Sequence, residues 1–223
     1  MAVQIDGPRL PPASGGAPRQ LVILLHGYGA DGEDLIGLGH SWAAYLPDAA
    51  FISPHAPEPL PGQFFGGRQW FNLEMRGETE WDEGVRKAQP GLMAFILEEA
   101  RKAQLPLSSV ALVGFSQGTM MALQVGLRLP QAPAAIVGFS GHLAGAARLA
   151  AEIKVKPPVL LIHGAADEVI PCQATHLARN ALAAVGVPVQ WQIRPGLGHG
   201  IDPEGLQAAG IFLRMAFGLT NRP

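Results

Sequence analysis

The sequence predicts an α/β protein built on a doubly wound, mostly parallel sheet with helices on both faces. Short, nearly continuous apolar runs recur at Leu21–Leu25, Ala50–Ile52, Val110–Val113, Ala134–Val137, Val159–Ile162 and Val187–Ile193. Strands read this way when helices cover a parallel sheet above and below, because both strand faces are then buried. Helical segments lie between them, at Leu35–Leu46, Asp82–Gln104, Gln117–Leu129, Gln173–Val185 and Pro203–Phe217. The two kinds of segment alternate, as successive strand–helix–strand units require.

Each element carries its own justification. Residues 7–18 are rich in Pro and Gly, so residues 1–19 are expected as an extended lead-in to the first strand. The segment 53–80 holds Pro54, Pro57, Pro59 and Pro61 among glycines and aromatics and predicts an irregular loop. A loop that long in a compact domain usually serves the site. The run Val187–Ile193 alternates apolar and polar residues, the pattern of an edge strand with one wet face. Gly186 and Pro188 close the helix before it. Asp202-Pro203 opens the last helix with a side-chain cap followed by Pro at the first helical position.

Composition narrows the function classes. The chain has 223 residues, 48% of them hydrophobic and 15% charged, which suits one domain, 1–223, with a large core. Its net charge is −2 and it has no block of Lys or Arg, so nucleic acid is not an expected partner. The single cysteine, Cys172, allows neither an internal disulfide framework nor a zinc cluster and fits a reducing compartment. The first residues, Met1 to Asp6, lack the basic and apolar regions of a signal peptide. No apolar run approaches the ~20 residues that span a bilayer, so no stable membrane insertion is expected and the location expected is cytoplasmic.

The most informative stretch is Gly114-Phe115-Ser116-Gln117-Gly118, a G-x-S-x-G between a buried strand and a helix. The turn is so tight that the residues two before and two after the serine must lack side chains, and it projects the hydroxyl above the sheet edge. Ser116 also stands at a helix N-terminus, where N–H groups and the helix dipole favour developing negative charge. With 28 glycines in the chain the motif alone would carry little. Its strand-before, helix-after setting makes Ser116 the candidate nucleophile.

A serine hydroxyl needs a base to take its proton, and the base needs an acid to orient it. Where the nucleophile sits on such an elbow, chain order runs Ser, then Asp or Glu, then His. Val159–Ile162 leads into His163-Gly164-Ala165-Ala166-Asp167-Glu168, and Val187–Ile193 leads into Pro195-Gly196-Leu197-Gly198-His199-Gly200. Of the seven histidines, His26 and His163 end strands and read as structural, while His40 and His176 lie in helical segments. His55 sits in the proline-rich loop, and His142 could line a pocket but precedes any good acid. His199 has the required order and glycine neighbours that let its ring approach the serine. Asp167 is preferred to Glu168 as the acid, since adjacent residues cannot both face one imidazole.

Ester cleavage builds charge on the carbonyl oxygen, which two preorganised N–H donors should meet. Gln117, the residue after the nucleophile, supplies one backbone donor. The glycine-rich loop His26-Gly27-Tyr28-Gly29-Ala30-Asp31-Gly32 supplies the other, assigned to Tyr28. It lacks the G-x-G-x-x-G order, so no dinucleotide site is expected. Phe64, Phe65, Trp70, Phe71 and Leu73 cluster in the 53–80 loop, with Phe65, Trp70 and Phe71 the candidate substrate contacts. Such aromatics either bind an acyl chain or pin the loop to the core, and both readings stand at this point. Trp81, Met120 and Met121 read as core residues, and Arg68 as a solvated arginine.

Four stretches, LLHGYGADGEDL, GFSQGTMMAL, HGAADEVIP and GLGHGID, resemble the phospholipase/carboxylesterase family of α/β-hydrolases, which includes bacterial carboxylesterases and acyl-protein thioesterases. With the lengths between them they cover Leu21 to Phe217. The resemblance implies the α/β-hydrolase fold without a large cap domain and a Ser-His-Asp triad at Ser116, His199 and Asp167, with oxyanion donors at Tyr28 and Gln117. It implies carboxylic ester or thioester cleavage without metal or cofactor, on a small-molecule ester or acyl-chain substrate, by a homodimer. Lysophospholipase activity would use the same triad. An inactive binding module on this fold would have lost one of Ser116, Asp167 or His199, and all three are present. Many family members have Leu where Tyr28 stands. Trp70-Phe71-Asn72 has Asn where the family has Asp.

Overall fold

The structure is a computed structural model that describes residues 5–60, 66–74 and 77–219. Its main sheet holds seven strands: β1 (Arg9–Leu10), β2 (Gln20–Leu25), β3 (Ala49–Ile52), β6 (Val110–Phe115), β7 (Ala135–Phe139), β8 (Val159–Gly164) and β9 (Val189–Arg194). They lie in the order β1-β3-β2-β6-β7-β8-β9. All neighbouring pairs are parallel except β1 with β3. The helices are α1 (Gly32–Ile36), α2 (Leu38–Trp42), α3 (Glu78–Lys102), α4 (Gln117–Gly126), α5 (Leu149–Glu152), α6 (Gln173–Ala184) and α7 (Pro203–Ala216).

Successive side chains of a strand point to opposite faces, and this splits the core in two. Leu21, Ile23, Leu25, Leu112, Ile136 and Leu161 face one side, where they pack with residues of α3, α4 and α6. Val22, Leu24, Ala111, Val113, Val137 and Ile162 face the other and meet Leu35, Trp42, Ala209, Phe212 and Leu213 of α1, α2 and α7. The near-continuous apolar strands of the sequence are the consequence: both faces of β2, β6, β7 and β8 are covered by helices. β9 lies at the sheet margin, and Trp191 on it stays 42% exposed beneath the Arg179 guanidinium.

The structure departs from the expected elements in several places. The lead-in contains β1, which pairs antiparallel with β3 through Arg9–Ile52 and Leu10–Phe51. The helix expected over Leu35–Leu46 is two five-residue helices that meet at Gly37. α1 starts earlier because the Asp31 side chain caps it, accepting from the Glu33 N–H at 2.8 Å. α3 also starts earlier than Asp82, and inside the irregular 53–80 segment a small hairpin pairs β4 (Glu58–Pro59) with β5 (Arg68–Gln69). Among the described residues no separate cap domain stands over the sheet.

β2 is flanked by β3 on one side and β6 on the other, so the winding of the sheet reverses between β2 and β6. In open α/β sheets a crevice opens at that point, outside the carboxyl ends of the strands. Register pairs Leu25 with Gly114, so the loops after β2 and β6 leave the sheet side by side.

Candidate active site

Ser116 joins β6 directly to α4 with φ 54° and ψ −116°. A non-glycine residue rarely adopts a positive φ, and such positions cost about 1–3 kcal/mol and cluster at functional sites. The flanking glycines show why the turn tolerates nothing larger. A Cβ on Gly118 would overlap the Leu25 carbonyl, and one on Gly114 would overlap the Gly118 backbone. The elbow is tied down by the Ser116 N–H, which donates to Phe139 O at 2.9 Å, and by the Thr119 hydroxyl, which bonds to the carbonyls of Gly114 and Phe139 at 2.8 Å each. Ser116 is 9% exposed.

Asp167 and His199 stand on neighbouring loops, after β8 and after β9. Backbone bonds lace those loops together, from the Ala165 N–H to Arg194 O and from the Ala166 N–H to Leu197 O, both 2.9 Å. His199 Nδ1 donates to Asp167 Oδ2 at 2.8 Å. Because the carboxylate can only accept, this bond places the proton on Nδ1 and leaves Nε2 as an acceptor. The His199 ring packs on Phe115, the residue before Ser116, with centroids 4.9 Å apart. Burial opposes ionisation of Asp167 and is the largest influence on it. The N–H of Ile170, the ring of His199 and the N–H of Val169 together outweigh burial, so the carboxyl sits below its usual range. Glu168, its neighbour, is exposed.

The remaining histidines fall into place by their contacts. His163 is buried, with Nδ1 2.8 Å from the Thr175 hydroxyl and Nε2 2.8 Å from Ile170 O and 3.2 Å from Asp167 Oδ2. Desolvation holds its pKa below the ordinary value, so it stays neutral under Asp167. His26 is fully buried and its pKa falls to about 4, again through desolvation. His55 accepts from the Gly32 N–H at 3.0 Å, whereas His40 and His176 are exposed. His142 packs tilted against Trp81, with ring centroids 4.9 Å apart, and lines a groove of about 520 Å³ with Leu143, Leu177, Ala178 and Ala181.

Gly27 passes so close to the elbow that a Cβ there would lie 3.4 Å from Ser116 Cβ. Tyr28 follows it, half-buried, and Gly29 takes φ 86°. Gln117 begins α4, so no carbonyl lies one turn back within the helix to take its backbone N–H. Its side chain is wholly buried: Oε1 accepts from the Trp70 N–H at 2.8 Å and Nε2 donates to Phe71 O at 2.7 Å.

Of the aromatics in the 53–80 segment, Trp70 and Phe71 are 1% and 2% exposed, the burial of residues that pin the segment to the core. Trp70 Nε1–H donates to His26 O at 2.9 Å, and Phe71 packs so tightly on Gly84 of α3 that a Cβ there would clash with its ring. Arg68, read as solvated, instead binds the carbonyls of Ala56 and Pro57. Phe64 and Phe65 lie outside the described residues. Met120 and Met121 are buried as expected, while Trp81 is only partly so. The clasp that Gln117 makes on residues 70–71 has no sequence signal, because its partners are backbone atoms 46 and 47 residues away.

Residues 13–217 match the sequence profile of the phospholipase/carboxylesterase family. The chain belongs to that family. Among curated relatives of this phospholipase/carboxylesterase family chain, acyl-protein thioesterase 1 of Gibberella zeae is 30% identical over 86% of the chain and 88% of the relative. Esterase YpfH of Escherichia coli K12 is 30% identical over 88% and 82%. Among solved structures, esterase PE8 superposes with a TM-score of 0.91 at 44% identity, covering 96% of this chain and 100% of that one. The family's chemistry is carboxylic ester hydrolysis on an α/β-hydrolase fold, and this chain is a carboxylic ester hydrolase of that kind. No helix among the described residues is long and apolar enough to cross a membrane.

Proposed function

We propose that the protein cleaves carboxylic esters, and thioesters of similar shape, through an acyl-enzyme on Ser116, with His199 as base and Asp167 as its orienting acid. The observation that carries this reading is the 2.8 Å bond from His199 Nδ1 to Asp167 Oδ2, which leaves Nε2 free to accept a proton. Ser116 Oγ attacks the substrate carbonyl carbon as its proton passes to His199 Nε2. The carbonyl oxygen becomes an oxyanion that accepts from the backbone N–H groups of Tyr28 and Gln117. On collapse the bond to the leaving oxygen or sulfur breaks and that atom takes the proton from His199. Water then repeats the sequence, its proton going to His199 and its oxygen to the acyl carbon, which frees the acid and restores Ser116. None of these steps calls on a metal or an organic cofactor.

The ionised state of Asp167 supports the same reading, because a carboxylate held below its usual range stays negative while the imidazolium forms beside it. An acyl-protein thioesterase is the second reading, favoured by the 30% identical relative of that name. The test is a p-nitrophenyl ester series from acetate to palmitate, run beside acyl-thioester substrates, with wild type and Ser116→Ala in parallel. Turnover should vanish in the variant, and the ratio of ester to thioester rates should separate the two readings. Activity retained by Ser116→Ala would overturn the mechanism.

A further inference from the structure

The two oxyanion donors come from separate parts of the chain, Tyr28 after β2 and Gln117 at the start of α4. A single short segment, Arg68–Phe71, holds both. On the Tyr28 side, the Trp70 indole N–H donates to His26 O at 2.9 Å, two residues before the donor. Just past the donor, Gly29 N–H donates to Arg68 O and Arg68 N–H donates to Ala30 O, each at 2.9 Å. On the Gln117 side, the Trp70 N–H and the Phe71 carbonyl take both ends of the Gln117 amide, at 2.8 and 2.7 Å. Trp70 is 1% exposed and Gln117 0%, so water does not compete for these bonds.

Oxyanion donors work only when they stand about 2.7–3.1 Å from where the oxygen will be, and a misplacement of about 1 Å can cost on the order of 100-fold in rate. Two donors on independently moving loops would not keep that spacing. Here Trp70 bonds the Tyr28 loop through its side chain and Gln117 through its main chain, and the Gln117 amide closes the link. We propose that the Gln117 side chain and the Trp70 indole are positioning residues for the oxyanion hole, coupling its two donors into one rigid unit. Gln117 then serves twice, by its backbone N–H toward the oxyanion and by its side chain in holding the opposite loop. The inference rests on the Ser116 mechanism proposed above.

The test uses Gln117→Met, which keeps length and the backbone N–H but loses both amide bonds, and Trp70→Phe, which keeps a ring but loses the indole donor. For each, kcat and KM on a p-nitrophenyl ester and inhibition by a trifluoromethyl ketone that forms a tetrahedral adduct on serine are measured well below the melting transition, and the melting temperature is determined beside them. The expected result is a fall in kcat of about tenfold or more with KM within about twofold, and weakening of the ketone by a matching factor. Because the residues act as a unit, the double variant should be no more than about threefold worse than the more damaged single variant. A lowered melting temperature with kcat and ketone affinity unchanged would reduce both residues to structural roles and overturn the proposal, as would losses that multiply in the double variant. Ester turnover that survives Ser116→Ala would instead remove the mechanism beneath it, a result distinct from either.

Discussion

Acidification should weaken the fold through His26, and the size of the effect follows from its surroundings. The ring is wholly buried between the end of β2 and the 53–57 segment. Nδ1 lies 2.7 Å from Gly27 O and Nε2 accepts from the Ala56 N–H at 2.9 Å, so the neutral Nδ1–H tautomer satisfies both partners. A second proton would put an N–H against the Ala56 N–H in a desolvated site. Burial accordingly lowers the pKa from the ordinary 6.5 to about 4. The unfolded chain takes up a proton as pH drops below about 6.5, while the folded chain resists until about 4. Stability from this group is therefore complete above 6.5 and lost as pH falls toward 4: about 2 kcal/mol by pH 5 and about 3 kcal/mol by pH 4. His163 and His142, also lowered by burial, act in the same direction. Urea unfolding from pH 7.5 to 4, for wild type and His26→Phe, isolates the His26 share. The variant starts lower at neutral pH, having lost the acceptor for Ala56, and its profile should be flatter by about 3 kcal/mol. Parallel profiles, or a His26 resonance that titrates near 6.5, would refute the argument.

Ser116→Gly should abolish ester turnover and raise stability by about 1–2 kcal/mol, since glycine accepts φ 54° without strain. In a chain of this size calorimetry should read this as a rise of several degrees over Ser116→Ala, which keeps the strain, and equal melting temperatures would rule the strain out. Asp202→Ala should cost about 1–2 kcal/mol in urea unfolding, since the carboxylate caps α7 through the Gly205 N–H at 2.9 Å and holds Arg194 at 2.7 Å. Arg194 and Asp202 bracket the loop that carries His199, so kcat should fall as well, and an unchanged kcat would show that the loop keeps its shape without them.

Much of this architecture was legible in the sequence because the physical demand and the residues that meet it lie close together. A strand covered on both faces must be apolar throughout, so β2, β6, β7 and β8 announce themselves. The elbow must carry glycine at 114 and 118 because neighbouring backbone occupies the Cβ positions. Asp167 and His199, named as candidates from chain order, stand on neighbouring strand-end loops and meet at 2.8 Å. By contrast, β1 is two residues long and paired through its backbone, which imposes no side-chain pattern to read. The Asp31 cap sets the start of α1 ahead of the periodic residues, and the junction with α2 falls at Gly37, whose backbone stays in the right-handed helical region, so periodicity does not mark it.

The aromatic cluster shows the limit most clearly. A buried aromatic that pins a loop and an exposed one that meets an acyl chain have the same local sequence, and only the fold separates them. For Trp70 the deciding partner is a carbonyl 44 residues earlier, at His26, and for Gln117 it is backbone at residues 70 and 71. Any residue supplies a carbonyl, so neither bond leaves a trace in the partner's identity. The consequence reaches the chemistry. The groups proposed to make and break bonds sit on motifs that steric necessity writes into the chain, whereas the proposed oxyanion donors are linked by hydrogen bonds between segments far apart in sequence. Substitutions in the 68–71 segment should therefore reach the reaction without touching a residue that meets substrate. A family member that replaced both the Gln117 amide and the Trp70 indole would need some other link between its β2 loop and its elbow to keep the same rate.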